Sequence, residues 1–263
     1  MLGNIPLKYP VVLVHGVVAH DRTGVVKFWG RIPDVLTARG ISVHLGNTDA
    51  WGDYASNALT LKQTIENVLL ETGKERVNII AHSKGGIDAR YLIWKHAFGD
   101  KIASLTTICT PHHGSEVADL IHNRKITHTK PARKILSIFG KLYGDTNPNL
   151  YDVIFQLTTA EMKKFNAQVA MDARVFYQSL YATMDNAFDD MLFFYPYLYI
   201  SKTRGENDGI VSAHSAKWGK NIAKIEGGIS HAEILDFKMK KISAVDIPGV
   251  YVQIVEGLSQ NNF

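Results

Sequence analysis

The chain holds a single cysteine, Cys109, among 263 residues, which excludes an internal disulfide and a cysteine-built metal site. Cys109 lies in an apolar run and reads as an inert core residue. No stretch of about 18 uninterrupted apolar residues occurs, so no segment has the form of a membrane-spanning helix. Internal repeats, low-complexity tracts and linkers are lacking, which excludes solenoid, fibrous and disordered architectures. Charge is not concentrated either. Twenty-nine Lys and Arg stand against 25 Asp and Glu, for a net +4 and a pI near 9.0. Acids are interspersed among the bases, and no basic stripe with interleaved aromatics appears, so nucleic acid is not an expected partner.

What is present is an ordinary globular composition, 46% hydrophobic and 21% charged, enough for one large core. A single domain over 1–263 is expected. The amino-terminal MLGNIPLKYP carries no long apolar segment. The expectation is a soluble chain, cytoplasmic as it stands or secreted if an export signal precedes these residues.

Pro10 to Val14 reads as a buried strand running into His15-Gly16-Val17, with loop at Asp21 to Gly24. Trp29, Ile32, Val35 and Leu36 give Phe28 to Arg39 helical spacing, and Gly40 stops it before a strand at Ile41 to Leu45. Tyr54 to Leu70 is a second helix, Val77 to Ala81 a strand, and Ile87 to about His96 a third helix. Ala103 to Thr110 is the next strand. Strands alternating with helices imply a parallel sheet covered on both faces.

At about 116–170 that rhythm breaks. The segment reads as a helical insertion, and Ile135, Ile138, Phe139, Leu142, Tyr143, Leu150, Ile154, Phe155 and Leu157 make it more apolar than a solvated loop. Packing onto the core and a mobile apolar lid both fit that composition. Val175 to Ala182 is a strand candidate, Phe188 to Tyr199 suits helix and strand equally, Ser201 to Val211 is turn-rich, and Pro248 to Leu258 is a closing helix.

The stretch VNIIAHSKGGIDAR, Val77 to Arg90, is strand, tight turn, helix, with Ser83 at the turn. Such a turn thrusts a serine above the carboxyl edge of a parallel sheet, and small neighbours two residues away let the backbones approach. Those neighbours are Ala81 and Gly85, so the usual first glycine of the motif is replaced by a methyl-bearing residue.

A serine hydroxyl is a weak nucleophile until an imidazole takes its proton, and the imidazole needs a carboxylate to hold its tautomer. On a sheet of this kind the acid and then the histidine follow the serine in the chain. Asp208 and His231, both on glycine-flanked loops, fit that order, while Asp185, Asp189, Asp190 and His214 compete with them. The oxyanion formed on attack needs two fixed N–H donors, each worth about 3 kcal/mol. The backbone of Lys84, directly after the serine, and of Val17, just beyond His15-Gly16, are the candidates.

Together, YPVVLVHG at 9–16, AHSKGG at 81–86, TPHHGSEVADLI at 110–121 and ENDGIVS at 206–212 resemble the bacterial triacylglycerol lipases of the Pseudomonas type. The resemblance implies an α/β-hydrolase fold, Ser83, Asp208 and His231 as a catalytic triad, Val17 and Lys84 as oxyanion donors, and the insertion as a helical lid. It also implies a structural calcium bracing the loop of the catalytic histidine, with Asp190 and Glu233 at the places of two ligands. Glu233 stands where the family has Asp, and Phe237 lies near where a further side-chain oxygen is expected. No cofactor is required for the chemistry itself. Zinc at His112, His113, His122 and His128 matches no usual ligand spacing.

The expected activity is hydrolysis of long-chain acylglycerols through an acyl-enzyme on Ser83, with a lipid or ester substrate met at an oil–water interface. A broader carboxylesterase or polyester hydrolase is the alternative, and a non-catalytic binding protein on the same fold is a third reading. Oligomeric state is not legible.

Overall fold

The computed structural model describes residues 3–17, 28–124, 145–146, 148–242 and 245–263. Among them, six strands form one parallel sheet: β1 (Val11–Val14), β2 (Val43–Leu45), β3 (Val77–His82), β4 (Ile102–Ile108), β5 (Phe176–Ala182) and β6 (Asn221–Ile225). Their order is β2-β1-β3-β4-β5-β6. The chain steps outward from β1 to β2, then returns past β1 to β3. That reversal of direction opens a crevice at the carboxyl ends of β1 and β3, the usual ligand position in open α/β sheets.

Side chains alternate faces along a strand, and the core divides accordingly. Val11 and Leu13 pack on one face with Ile32 and Leu36 of α1 (Ile32–Thr37) and with Ile247, Tyr251 and Val255 of α9 (Ile247–Gln260). Val12 and Val14 pack on the other, with Leu61 and Ile65 of α2 (Tyr54–Thr72) and Leu92 and Ile93 of α3 (Lys84–Lys95). Each such Leu or Ile, fully buried, contributes about 1.5–3 kcal/mol.

Local signals set the helix limits. Asp53 caps α2 by accepting from the backbone N–H of Ala55 and Ser56, each at 2.9 Å, and Gly73 ends it in the left-handed region at φ 64°. α1 is shorter than its apolar spacing predicts, because its amino end is set at Pro33.

The insertion contributes α4 (Glu116–Asn123), α5 (Leu150–Gln156) and α6 (Thr159–Gln168). Met162, Phe165 and Val169 pack against Ile87 of α3, so this end of the insertion is anchored to the helix that starts at Ser83. Ile135, Ile138, Phe139, Leu142 and Tyr143 lie outside the described residues, as does the loop expected at Asp21 to Gly24.

The ambiguous aromatic stretch is helical. A short 3-10 turn at Met191–Phe193 leads into α7 (Phe194–Thr203), so the first residues of the expected loop at Ser201 belong to a helix. The short α8 (Ala213–Ala216) follows. β6 escapes the sequence reading because it is a short edge strand whose first three residues are exposed, with no apolar alternation to mark it. Among the described residues, no helix is long and apolar enough to cross a membrane.

Candidate active site

Ser83 sits at the first residue beyond β3, at φ 54° and ψ −131°, a backbone conformation that costs a non-glycine residue about 1–3 kcal/mol. It is held there by its own N–H, which donates to the Ile108 carbonyl at 2.9 Å. The turn after β1 lies directly against it. A Cβ on Gly16 would stand 2.6 Å from the Ser83 Cβ, and one on Gly85 would stand 2.5 Å from the His15 carbonyl oxygen. Only glycine at these two positions lets the β1 and β3 turns close on the serine. Ala81, the departure from the usual motif, is accommodated fully buried.

The Ser83 hydroxyl lies 2.9 Å from His231 Nε2, and His231 Nδ1 lies 2.7 Å from Asp208 Oδ2. The other Asp208 oxygen accepts from the N–H of Ile210 at 3.0 Å and Val211 at 2.7 Å, which fixes the carboxylate plane toward the imidazole. The backbone ties the two loops as well, since the His231 N–H donates to the Asp208 carbonyl at 2.8 Å. All three side chains are buried, in residues 4%, 7% and 1% exposed for Ser83, His231 and Asp208, so the line of hydrogen bonds lies in a low-dielectric setting that strengthens it.

The competing residues are engaged elsewhere. Asp189 accepts from the N–H groups of Asp185 and Asn186 and braces its own loop. The ring of His214 lies against that of His113, 5.4 Å between centroids. His112 is buried between Arg90, whose guanidinium donates to Nδ1 at 3.1 Å, and the Thr107 hydroxyl, 2.9 Å from Nε2. Burial and then the Arg90 charge hold the His112 imidazole well below the usual histidine range. His128 lies outside the described residues.

Lys84, next to the serine, is buried and folds back along α3, with Nζ 2.6 and 2.9 Å from the two Asp88 oxygens. Asn57 donates to Asp88 at 2.9 Å and to the Asp49 carbonyl at 2.9 Å. The Asp49 carboxylate in turn accepts from the Thr146 hydroxyl at 2.6 Å. A polar chain thus runs from the serine turn to Thr146 within the insertion. Val17 follows Gly16, the residue that lies against Ser83, in the turn after β1.

Two neighbours of the site carry no sequence signal of a role. The His82 ring Nε2 lies 3.0 Å from the His231 carbonyl oxygen, and burial, then the charge on His231, push its imidazole well below the usual range. Cys109, at φ 50° just past β4, places its sulfur within 4.8 Å of the donor atoms of Asp208 and His231. The nearest two members of that group are already bonded to each other. Burial, then the Asp208 charge, raise the Cys109 thiol well above its ordinary value and keep it protonated.

Asp190 and Glu233 are both buried and flank the His231 loop. Ser230 donates its hydroxyl to Asp190 at 2.8 Å and its N–H to Glu233 Oε2 at 3.1 Å. Lys238 Nζ lies 2.8 Å from Glu233 Oε1 and 3.6 Å from Asp190 Oδ2. Desolvation lowers the Lys238 ammonium, but Glu233 and Asp190 outweigh it and leave it raised. A calcium ion needs six to eight oxygens at about 2.3–2.6 Å. These carboxylates are already satisfied by a serine and an ammonium, so the set does not fit the ion.

A parallel sheet with a strained serine after β3 and a buried Ser–His–Asp line across the carboxyl ends of its strands is that of an α/β-hydrolase. The sequence profile of the palmitoyl protein thioesterase family matches residues 10–174, and the chain belongs to that family. It is 28% identical over 261 residues to triacylglycerol lipase 2 of Saccharomyces cerevisiae, covering 90% of this chain and 75% of that one. A triacylglycerol lipase of Pseudomonas fragi is 35% identical over 119 residues, covering 45% of this chain and 40% of that one, in keeping with the resemblance read from the four motifs. The chain spans about half the length of the bacterial triacylglycerol lipases it matches. The crystal structure of a metagenomic carboxyl esterase superposes with a TM-score of 0.80 at 18% identity, covering 99% of this chain and 78% of that one. These relatives are named lipases and esterases, and the superposed esterase shares the fold of this chain.

Proposed function

We propose that this chain is a serine carboxylic-ester hydrolase that acts on long-chain acylglycerols through an acyl-enzyme on Ser83. The observation that carries the reading is the hydrogen-bonded line Ser83 Oγ, His231 Nε2, His231 Nδ1, Asp208 Oδ2, with steps of 2.9 and 2.7 Å. Ser83 Oγ attacks the ester carbonyl carbon while its proton passes to His231 Nε2. Asp208 keeps the Nδ1 proton in place and stabilises the imidazolium. The carbonyl oxygen, now an oxyanion, is met by the N–H groups of Val17 and Lys84. His231 returns the proton to the departing alcohol oxygen as the C–O bond breaks. Water then enters, gives its proton to the same imidazole, attacks the acyl carbon, and Ser83 leaves reprotonated with the free acid.

An apolar substrate is supported by the surface beside the site. Phe188, Met191, Leu192, Tyr195 and Leu198 are exposed on one short segment. That segment borders the reacting loops: Phe193 packs on Gly209, and Asp190 is bonded to Ser230. Clustered apolar side chains of this kind suit an oil surface or an acyl chain.

The family match favours one further reading, hydrolysis of long-chain acyl thioesters, since the same nucleophile attacks a thioester carbonyl. Emulsified long-chain triacylglycerol, palmitoyl thioester and dissolved short-chain p-nitrophenyl ester, compared by kcat/KM, separate the two from a broad esterase. The proposal expects the long-chain oxygen ester to lead. Short-chain preference would make the chain a simple or polyester-type esterase, and no turnover of any of them would return the fold to a binding role.

A further inference from the structure

Asp190 and Glu233 stand where the resemblance implies two calcium ligands, and here both face an ammonium. Lys238 follows Glu233 by five residues and puts Nζ between the two acids, 2.8 Å from Glu233 Oε1 and 3.6 Å from Asp190 Oδ2. The other contacts close the set. Asp190 Oδ1 accepts from the Leu192 N–H at 3.1 Å, Asp190 Oδ2 from the Ser230 hydroxyl at 2.8 Å, and Glu233 Oε2 from the Ser230 N–H at 3.1 Å. The Ser230 oxygen also accepts from the Glu233 N–H at 3.3 Å. Among the described residues, no third acid or histidine joins these two carboxylates.

We infer that the Lys238 side chain supplies from within the chain the positive charge that a calcium ion would otherwise bring, so that the His231 loop is braced without a divalent cation. The inference takes His231 as the general base proposed above. Its physical basis is local. Two carboxylates buried on either side of Ser230 and His231 repel each other unless a cation stands between them, and their separation would swing the imidazole off the Ser83–Asp208 line. A tethered ammonium fills that place at all calcium concentrations, because its effective concentration is set by the chain and not by the medium. Lys238 is a positioning residue, acting on His231 through Glu233 and Ser230.

The test uses the full chain and Lys238→Ala, Lys238→Arg and Lys238→Met. Calcium binding is followed by calorimetry, stability by Tm, and ester hydrolysis by kcat and KM, each with millimolar calcium or with chelator. The wild type is expected to bind no calcium and to keep its Tm and kcat in chelator. Lys238→Ala is expected to lower kcat about tenfold with KM nearly unchanged. It also exposes the two carboxylates to solvent cations, so it is expected to bind calcium and regain Tm and kcat in its presence. Lys238→Arg retains both, and Lys238→Met, which fills the volume without the charge, behaves as Lys238→Ala. Stoichiometric calcium binding by the wild type, or loss of its Tm in chelator, would overturn the inference. So would a Lys238→Ala protein with wild-type kcat and Tm, or an Arg variant as impaired as the Ala variant. Calorimetry and Tm decide the matter even if no ester is turned over, which separates its failure from that of the proposed activity.

Discussion

The ring of His82 lies 4.6 Å, centroid to centroid, from the ring of His231, and its Nε2 meets the His231 carbonyl oxygen at 3.0 Å. The residue before the proposed nucleophile therefore holds the backbone of the residue proposed to activate it. His82 is placed to fix the imidazole rather than to exchange protons, because burial keeps it neutral. Replacing His82 with Ala is expected to lower kcat about tenfold with KM little changed. A steady-state split in which KM rises and kcat stays constant would contradict that assignment.

Burial of neutral histidines makes stability depend on pH. The folded values of His82 and His112 are both depressed, so through about pH 6.5 and below the unfolded chain takes up protons that the folded chain does not. Their contribution is complete above that pH and falls with acidification, by about 1.4 kcal/mol per pH unit per histidine, until the folded values are reached. His112→Gln is expected to flatten the acid limb of urea stability by about that slope between pH 6.5 and 5. An unchanged slope would show that His112 is not held neutral.

Gly16 is required by proximity to Ser83. A methyl group there would sit 2.6 Å from Ser83 Cβ, so Gly16→Ala pushes the serine off the His231 Nε2 direction. A displacement of about 1 Å costs roughly 100-fold in rate. The expected result is a folded protein with kcat down by about that factor, and a variant of normal kcat would contradict the close approach.

Lys84 and Asp88 are a buried pair, with side chains 2% and 1% exposed. Burial raises the Asp88 carboxyl while Lys84 and Asn57 pull it back. Removing one charge leaves the other without its partner, so Lys84→Met is expected to cost about 3–5 kcal/mol in urea unfolding. The double variant Lys84→Met with Asp88→Leu should recover much of that loss. If the single and double variants are equally unstable, Lys84 serves packing and not the pairing.

Much of this site is legible in the chain because its pieces are local. A β-branched run ending in His82-Ser83-Lys84-Gly85 sets strand, turn and helix by spacing alone, and Asp208 and His231 stand on glycine-flanked loops in the order the chemistry needs. What is not legible depends on contacts between distant segments. Nothing in the spacing of Cys109 says that its sulfur lies beside Asp208, a meeting made by the pairing of β4 with its neighbours. Lys238 reads as one more surface lysine until Asp190, 48 positions earlier, is folded onto the same loop. β6 was silent because its edge position removes the apolar alternation that marks an inner strand.

The most direct test of the account is labelling by a serine-directed fluorophosphonate together with hydrolysis of an emulsified long-chain ester, for wild type, Ser83→Ala, Asp208→Asn and His231→Ala. The wild type is expected to be labelled once, at Ser83, and to turn over the ester. Ser83→Ala is expected to lose the label and the activity, and Asp208→Asn to lose about 10⁴-fold in kcat. Labelling or turnover that survives Ser83→Ala would contradict the assignment of Ser83 as the nucleophile.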